Sequence, residues 1–402
     1  MSPFDIWEKF LRDHDLPESF IANLRENCTD IVRNESVCEQ ILHLLDIIYG
    51  PCGDFPKFIF PDFPTSFTVT VTILYVIVFI VAVLGNSAVV IILVKFRRMR
   101  TVTNIYLLSL ACSDLALAVF CLPFDALYSL TTNWPFGEAM CKISRFVQTS
   151  SVAINVLTLT AIAADRHIAI VYPIKAIRLR TNRRAVVLLT VIWFVSALIM
   201  SPLLFVYGTR QICESNTVDN MHTTCQEMWS TNATIHNTFE ETFQTTGTLV
   251  YSAVLLVLLW VVPLLIIGVV YVRIAHCLWT RQHIGDGPDR DVKADQSLKQ
   301  KKKLVKMLLI IWLLFAACWG PQFLFNAVRD FTYNFHNLGD SGWTYITFTV
   351  LRLVAYSNCC CNPIIYHRMS DTFKKHMRAV VGCCKCCRGS EVTDASISVS
   401  QH

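Results

Sequence analysis

The stretch Phe67–Val94, FTVTVTILYVIVFIVAVLGNSAVVIILV, runs for 28 residues without a charged side chain. An α-helix rises 1.5 Å per residue, so about 20 apolar residues cross the roughly 30 Å hydrocarbon core of a bilayer. Reading outward from this run, Ala185–Tyr207 and Thr248–Val272 are equally free of charge. Ile105–Phe124, Phe146–Ala164, Met307–Val328 and Trp343–Tyr366 carry at most one ionisable residue each, notably Asp114 and Arg352. Lipid offers no partner to an open backbone, and these uniform runs lack the alternation of barrel strands. The predicted fold is an all-α membrane protein, a seven-transmembrane helix bundle with a short amphipathic helix after span seven.

Composition agrees. Of 402 residues 53% are hydrophobic and 16% charged, and the mean hydropathy is +0.46. Soluble domains carry about 25% charged residues, and disordered chains are poor in apolar ones. Seventeen cysteines are too sparse for a secreted disulfide scaffold. A net charge of +5 gives no reason to expect a nucleic-acid partner. Three regions are expected: an extracellular segment 1–66, a receptor-like domain 67–381 and a cytoplasmic tail 382–402.

Lys and Arg near the span ends set the orientation. They cluster after span one (Lys95, Arg97, Arg98, Arg100), after span three (Lys175, Arg178, Arg180, Arg183, Arg184) and before span six (Lys301, Lys302, Lys303). The alternate loops are poor in them, so the N-terminus is expected outside and the C-terminus in the cytoplasm of a multi-pass plasma-membrane protein. No apolar signal core stands near the start. The sequons at Asn27, Asn34 and Asn232 all fall on the predicted outer side. Residues 1–66 hold 12 acids against 5 bases, so the outer face is acidic. Six cysteines lie outside (Cys28, Cys38, Cys52, Cys141, Cys213, Cys225), enough for three bridges whose connectivity sequence leaves open. Inside, Cys383, Cys384, Cys386 and Cys387 follow a basic amphipathic stretch, Asp371–Val380; membrane-anchoring palmitoylation is favoured over zinc. Serines and threonines of the tail, such as Ser390 and Thr393, are expected sites for a receptor kinase and hence for arrestin. Phosphate-binding loops, zinc-protease spacing and nucleophile elbows are all absent from the sequence, so no enzyme is expected.

Polar residues inside spans cost free energy and mark function. Here they form an ordered set: Gly85-Asn86, Asp114, Asp165-Arg166-His167, Trp193, Pro263 with Tyr271, Phe315 with Cys318-Trp319-Gly320-Pro321, and Asn362-Pro363 with Tyr366. Together they resemble the rhodopsin-like G protein-coupled receptors over about residues 67–381. The resemblance implies that Trp319 and Phe315 relay ligand binding to span six, which swings about Pro321 while Pro363 bends span seven. Arg166 would hold Asp165 at rest and then, with Tyr271 and Tyr366, meet a heterotrimeric G protein. Lys301 stands where such receptors often place a second acidic restraint. Asp114, Asn155, Asn358 and Asn362 resemble the buried sodium site, with Asn155 replacing the usual Ser. The resemblance also implies a Cys141–Cys225 bridge, through Trp134-Pro135-Phe136-Gly137 and Cys225-Gln226-Glu227-Met228-Trp229.

The same resemblance narrows the ligand. Gln148 occupies the place of the amine receptors' Asp, and Tyr356 that of the opsins' retinal-bearing Lys. The loop at Glu227 and the acidic N-terminus are similar to those of receptors for neuropeptide Y, neuropeptide FF, orexin and tachykinin. A cationic, C-terminally amidated peptide is therefore expected among Gln148, Asp125, Arg352, Trp319, Asn326, Asp330, Glu227 and Tyr356, with Asp330 pairing a ligand arginine. Asp125 and Arg352 are expected to pair in the empty receptor. Alternatively, Arg352 anchors a lipid or small acid.

Overall fold

Each apolar run is the centre of a longer helix in the computed structural model, which describes residues 57–58, 64–96, 99, 101–214, 221–228, 247, 249–284, 292–336, 342–370 and 373–378. The spans are Thr65–Lys95, Val102–Thr131, Gly137–Val171, Asn182–Val206, Leu249–Thr280, Lys299–Phe331 and Gly342–Met369. The first six are long and apolar enough to cross a bilayer. The seventh has 28 residues, and Arg352, Asn358 and Asn362 make it the less apolar. The helices outrun the uncharged runs because their polar ends reach past the hydrocarbon. Thr101 and Thr181 begin spans two and four, each hydroxyl accepting a backbone N–H at 3.4 Å, from Asn104 and Arg184.

Two readings need correction. Tyr207 does not end span four; the span stops at Val206 and Tyr207 opens strand β2, Tyr207–Glu214. The helix of span six begins well before its apolar run Met307–Val328, at Val292 in the polar loop that follows span five, and continues to His336. Its Ala, Lys, Gln and Leu residues favour helix, and the loop's glycines and proline all precede Val292.

Two units are distinguished, residues 1–60 with 211–223, and 61–210 with 224–402. In the first, β1, Lys57–Phe58, pairs in parallel with the end of β2, Lys57 opposite Cys213 and Phe58 opposite Glu214, while Tyr207–Arg210 of β2 belong to the second. A third strand, β3, Met221–Glu227, completes the order β1-β2-β3. The second unit is the bundle. Its outward faces are apolar and exposed, as at Ile73, Leu84, Phe194 and Leu265, while Asn86, Asp114 and Asn155 are buried inside. That inversion suits a lipid surround and not water.

Span one touches span seven closely. A Cβ on Gly85 would lie 2.9 Å from the Cβ of Pro363, and Asn86 Nδ2 donates to the carbonyls of Ala82 and Cys359, both at 2.9 Å. The sequons Asn27, Asn34 and Asn232, Cys28, Cys38 and Cys52, and the tail with Cys383, Cys384, Cys386 and Cys387 lie outside the described residues.

Candidate ligand-binding site and activation switch

Span two breaks at Cys121, between Val102–Phe120 and Leu122–Thr131, where Pro123 cannot supply a helical N–H. The second piece carries Asp125, 1% exposed. Arg145 of span three is its main partner: Nη2 lies 2.9 Å from Oδ1 and Nη1 donates to Oδ2 at 3.2 Å. The Tyr356 hydroxyl donates to Oδ2 as well. Gln148 closes a ring, accepting from Arg145 Nη1 at 3.0 Å and donating to the Tyr356 oxygen at 3.1 Å. Arg352 is the outlying member. Its Nη1 stands 3.4 Å from Asp125 Oδ1, and its guanidinium lies 4.1 Å above the Phe348 ring. The expected Asp125–Arg352 pair therefore exists, but as the longer of two. Arg145 was overlooked because the uncharged run starts one residue later; its signal is an arginine one helical turn outward from Gln148.

Next to this network is a cavity, partly open to solvent, whose wall includes Arg145, Gln148, Glu227, Trp319, Asn326 and Arg352. Glu227, on β3, accepts from the Tyr207 hydroxyl at 2.8 Å. Burial, and then the Glu227 carboxylate, push the Tyr207 phenol well above its usual range, so it remains a donor. Gln322 Nε2 donates to Asn326 Oδ1 at 2.9 Å. Asp125, Tyr356 and Asp330 are not in the cavity wall. Tyr356 is fully buried. Asp330 faces span five, where Ser252 donates to it, and pairs with Arg329 at 3.0 Å.

The cavity meets the hinge at Trp319, which is buried, as is Phe315 one turn inward. Span six is helical through Pro321. A Cβ on Gly320 would fall 2.7 Å from Trp260 Nε1, so the missing side chain makes room for this indole. Trp260 sits in a π-helical turn, Val257–Val261, ahead of Pro263, and donates to the Ala316 carbonyl at 3.2 Å. This clasp between spans five and six was not expected; its only sequence signal is a tryptophan three residues before Pro263.

Deeper in, Asp114 accepts from Asn155 Nδ2 and Asn362 Nδ2, each at 2.8 Å, and Ser113 donates to Asn155 Oδ1. Asn358 is buried on the same span. A sodium ion here would need the two amides turned, oxygens inward, since a hard cation takes oxygen ligands. On the inner side Arg166 donates through Nε to Asp165 at 3.1 Å and through Nη2 to Thr103 at 2.6 Å. Arg180 shares the same acid, its Nε 2.8 Å from Asp165 Oδ1. Tyr271 is buried with its ring 6.3 Å from Trp312. Tyr366 lies edge-on to Phe373 at 6.0 Å, and its hydroxyl has no hydrogen-bond partner among the described residues. On the outer side Cys141 is bonded to Cys225. Buried Trp134 donates to the Gly137 carbonyl at 2.9 Å beside that bridge.

Residues 85–366 match the 7 transmembrane receptor (rhodopsin family) model. The chain belongs to that family. The receptor is 35% identical over 320 residues to a QRFP-like peptide receptor of Branchiostoma floridae, covering 80% of this chain and 79% of that protein. It is 31% identical over 328 residues to the pyroglutamylated RF-amide peptide receptor of Rattus norvegicus, covering 81% and 72%. A tachykinin-like peptides receptor 86C of Drosophila melanogaster is 33% identical over 316 residues, 78% of this chain and 58% of that protein. The receptor is a multi-pass membrane protein and not an enzyme.

Proposed function

We propose that this receptor binds an extracellular peptide, cationic and C-terminally amidated, and in response activates a heterotrimeric G protein by outward movement of span six. The carrying observation is the continuity from a polar cavity to the hinge: Trp319 lines the cavity and is followed directly by Gly320 and Pro321, which Trp260 clasps. The likeness to relatives named as peptide receptors supports the peptide class. Ligand binding would favour whichever packing of Trp319 it fits better, and only that difference in affinity shifts the equilibrium. Release of Arg166 from Asp165 and Thr103 would then expose a guanidinium, beside Tyr271 and Tyr366, to the G protein.

Glu227 would attract a ligand cation, since its carboxylate is in the wall while that of Asp330 is turned to Arg329 and Ser252. On this reading the N-terminus is outside the plasma membrane with glycans on Asn27, Asn34 and Asn232. The tail is cytoplasmic, palmitoylated at Cys383, Cys384, Cys386 and Cys387, and phosphorylated for arrestin. A sodium ion at Asp114 belongs to the same proposal, with Asn155, Asn358 and Asn362 as its oxygen donors.

The test is second-messenger release from cells expressing the full chain with a promiscuous G protein, challenged with amidated peptides ending in Arg-Phe or Arg-Tyr. A saturable response, weakened more by Glu227→Gln than by Asp330→Ala, is expected. Silence toward every peptide, with the receptor seen at the surface and a response to fatty acids instead, would move the assignment to a lipid or small acid at Arg352.

A further inference from the structure

The outer charge cluster holds more cation than it can use. Asp125 is satisfied by Arg145 and Tyr356, and Gln148 spends both ends of its amide on those two residues. Arg352 is buried, yet its Nη1 has no hydrogen-bond partner among the described residues. It stacks on Phe348, which holds the guanidinium plane, and it lines the cavity. Glu227, an acid that does line the cavity, accepts from Tyr207 on the second outer loop. Arg352 shares Asp125 with Arg145, at 3.4 Å, so this buried cluster holds one more cation than anion, which is costly in a membrane protein. Such a group persists where something else supplies the counter-charge.

We infer that Arg352 is the anchor for a carboxylate carried by the peptide ligand, either its free C-terminus or an Asp or Glu side chain. A guanidinium fork matches the two oxygens of a carboxylate and neutralises it, whereas a neutral amide oxygen does neither. The cavity is then bipolar. Glu227 draws a ligand cation and Arg352 a ligand anion, and the two together fix which way the peptide enters. This inference rests on the peptide-receptor reading and not on the amide: a C-terminal carboxylate would replace that amide, whereas a side-chain carboxylate would accompany it.

The probe is a library of synthetic heptapeptides ending in Arg-Phe. Each is made in four forms, with an amide or free-acid terminus and with Glu or Gln third from the end. All are assayed by second-messenger release on the full-length receptor and on Arg352→Gln and Arg352→Lys. On the unaltered receptor a carboxylate-bearing form should be about tenfold more potent than its neutral counterpart, as one charge-assisted contact allows. Whether the acid terminus or the Glu confers the gain identifies the source of the carboxylate. In Arg352→Gln the preference should fall below about threefold, and Arg352→Lys should retain part of it. Equal potency of neutral and acidic forms on the unaltered receptor overturns the inference while leaving the peptide reading intact, and needs no variant to fold. An acid preference that survives Arg352→Gln overturns it too. Silence of the whole library on a receptor shown at the cell surface overturns the peptide reading, and this inference with it.

Discussion

At each end of the bundle one buried aspartate is shared by two arginines, and the two arrangements differ instructively. On the outer side Asp125 is held by Arg145 at 2.9 Å and by Arg352 at 3.4 Å, all three buried. On the inner side Asp165 is held by Arg166, from its own helix, and by Arg180 at 2.8 Å, a side chain 28% exposed. The outer cluster is enclosed, and Arg352 faces a cavity. The inner one is open to solvent through Arg180, so its surplus cation is hydrated and costs little. Arg166 also donates to Thr103 of span two. The resting hold on Arg166 is thus set by spans two and three and the loop carrying Arg180.

The sharpest way to break the comparison is Asp125→Asn, which strands two buried guanidinium groups. Removing one partner of a buried pair costs about 3–5 kcal/mol, so surface labelling and thermal stability in detergent should both collapse. Near-normal expression would mean the outer cluster is as well solvated as the inner one. Asp165→Asn should act differently. It frees Arg166 at a cost of about 1.5–3 kcal/mol, and ligand-independent second-messenger output should rise by about tenfold with the receptor still at the surface.

A smaller effect tests the link between the two ends. Trp260→Phe keeps a ring against Gly320 and deletes the hydrogen bond to Ala316, worth about 1 kcal/mol. Basal output should rise roughly fivefold, since a tenfold change needs about 1.4 kcal/mol; unchanged output would show that the clasp does not bias the hinge. The smallest change is expected from Arg180→Gln. An ion pair open to solvent on one side is worth about 1 kcal/mol, and its loss leaves Asp165 wholly to Arg166. Basal output should therefore fall by at most about fivefold, and a rise would mean that Arg180 restrains and does not compete.

Much of this was legible in the sequence. Apolar length gave the seven spans, because lipid admits little else, while the resemblance carried by the polar residues inside them and by the two loop motifs implied the hinge, the inner arginine and the bridge Cys141–Cys225. The Asp125–Arg352 pair was legible too, since an isolated charge in a span demands a partner. What escaped were residues whose importance is a matter of direction. Arg145 sits at the edge of an apolar run, and only the break before Pro123 turns Asp125 toward it. Arg180 reads as one of several inner-loop cations, and Trp260 as one more apolar residue of span five.

Sequence by itself therefore determined that this chain crosses a membrane seven times, because transfer free energy is summed along the chain and needs no knowledge of neighbours, and its ordered motifs carried the resemblance to the rhodopsin-like receptors. Only the tertiary structure decided who pairs with whom: Arg145 before Arg352 at Asp125, Arg180 beside Arg166 at Asp165, Trp260 in the space Gly320 leaves, and Asp330 turned away from the cavity. Those choices depend on distances of a few ångströms between helices, over which charge and hydrogen-bond energies change steeply.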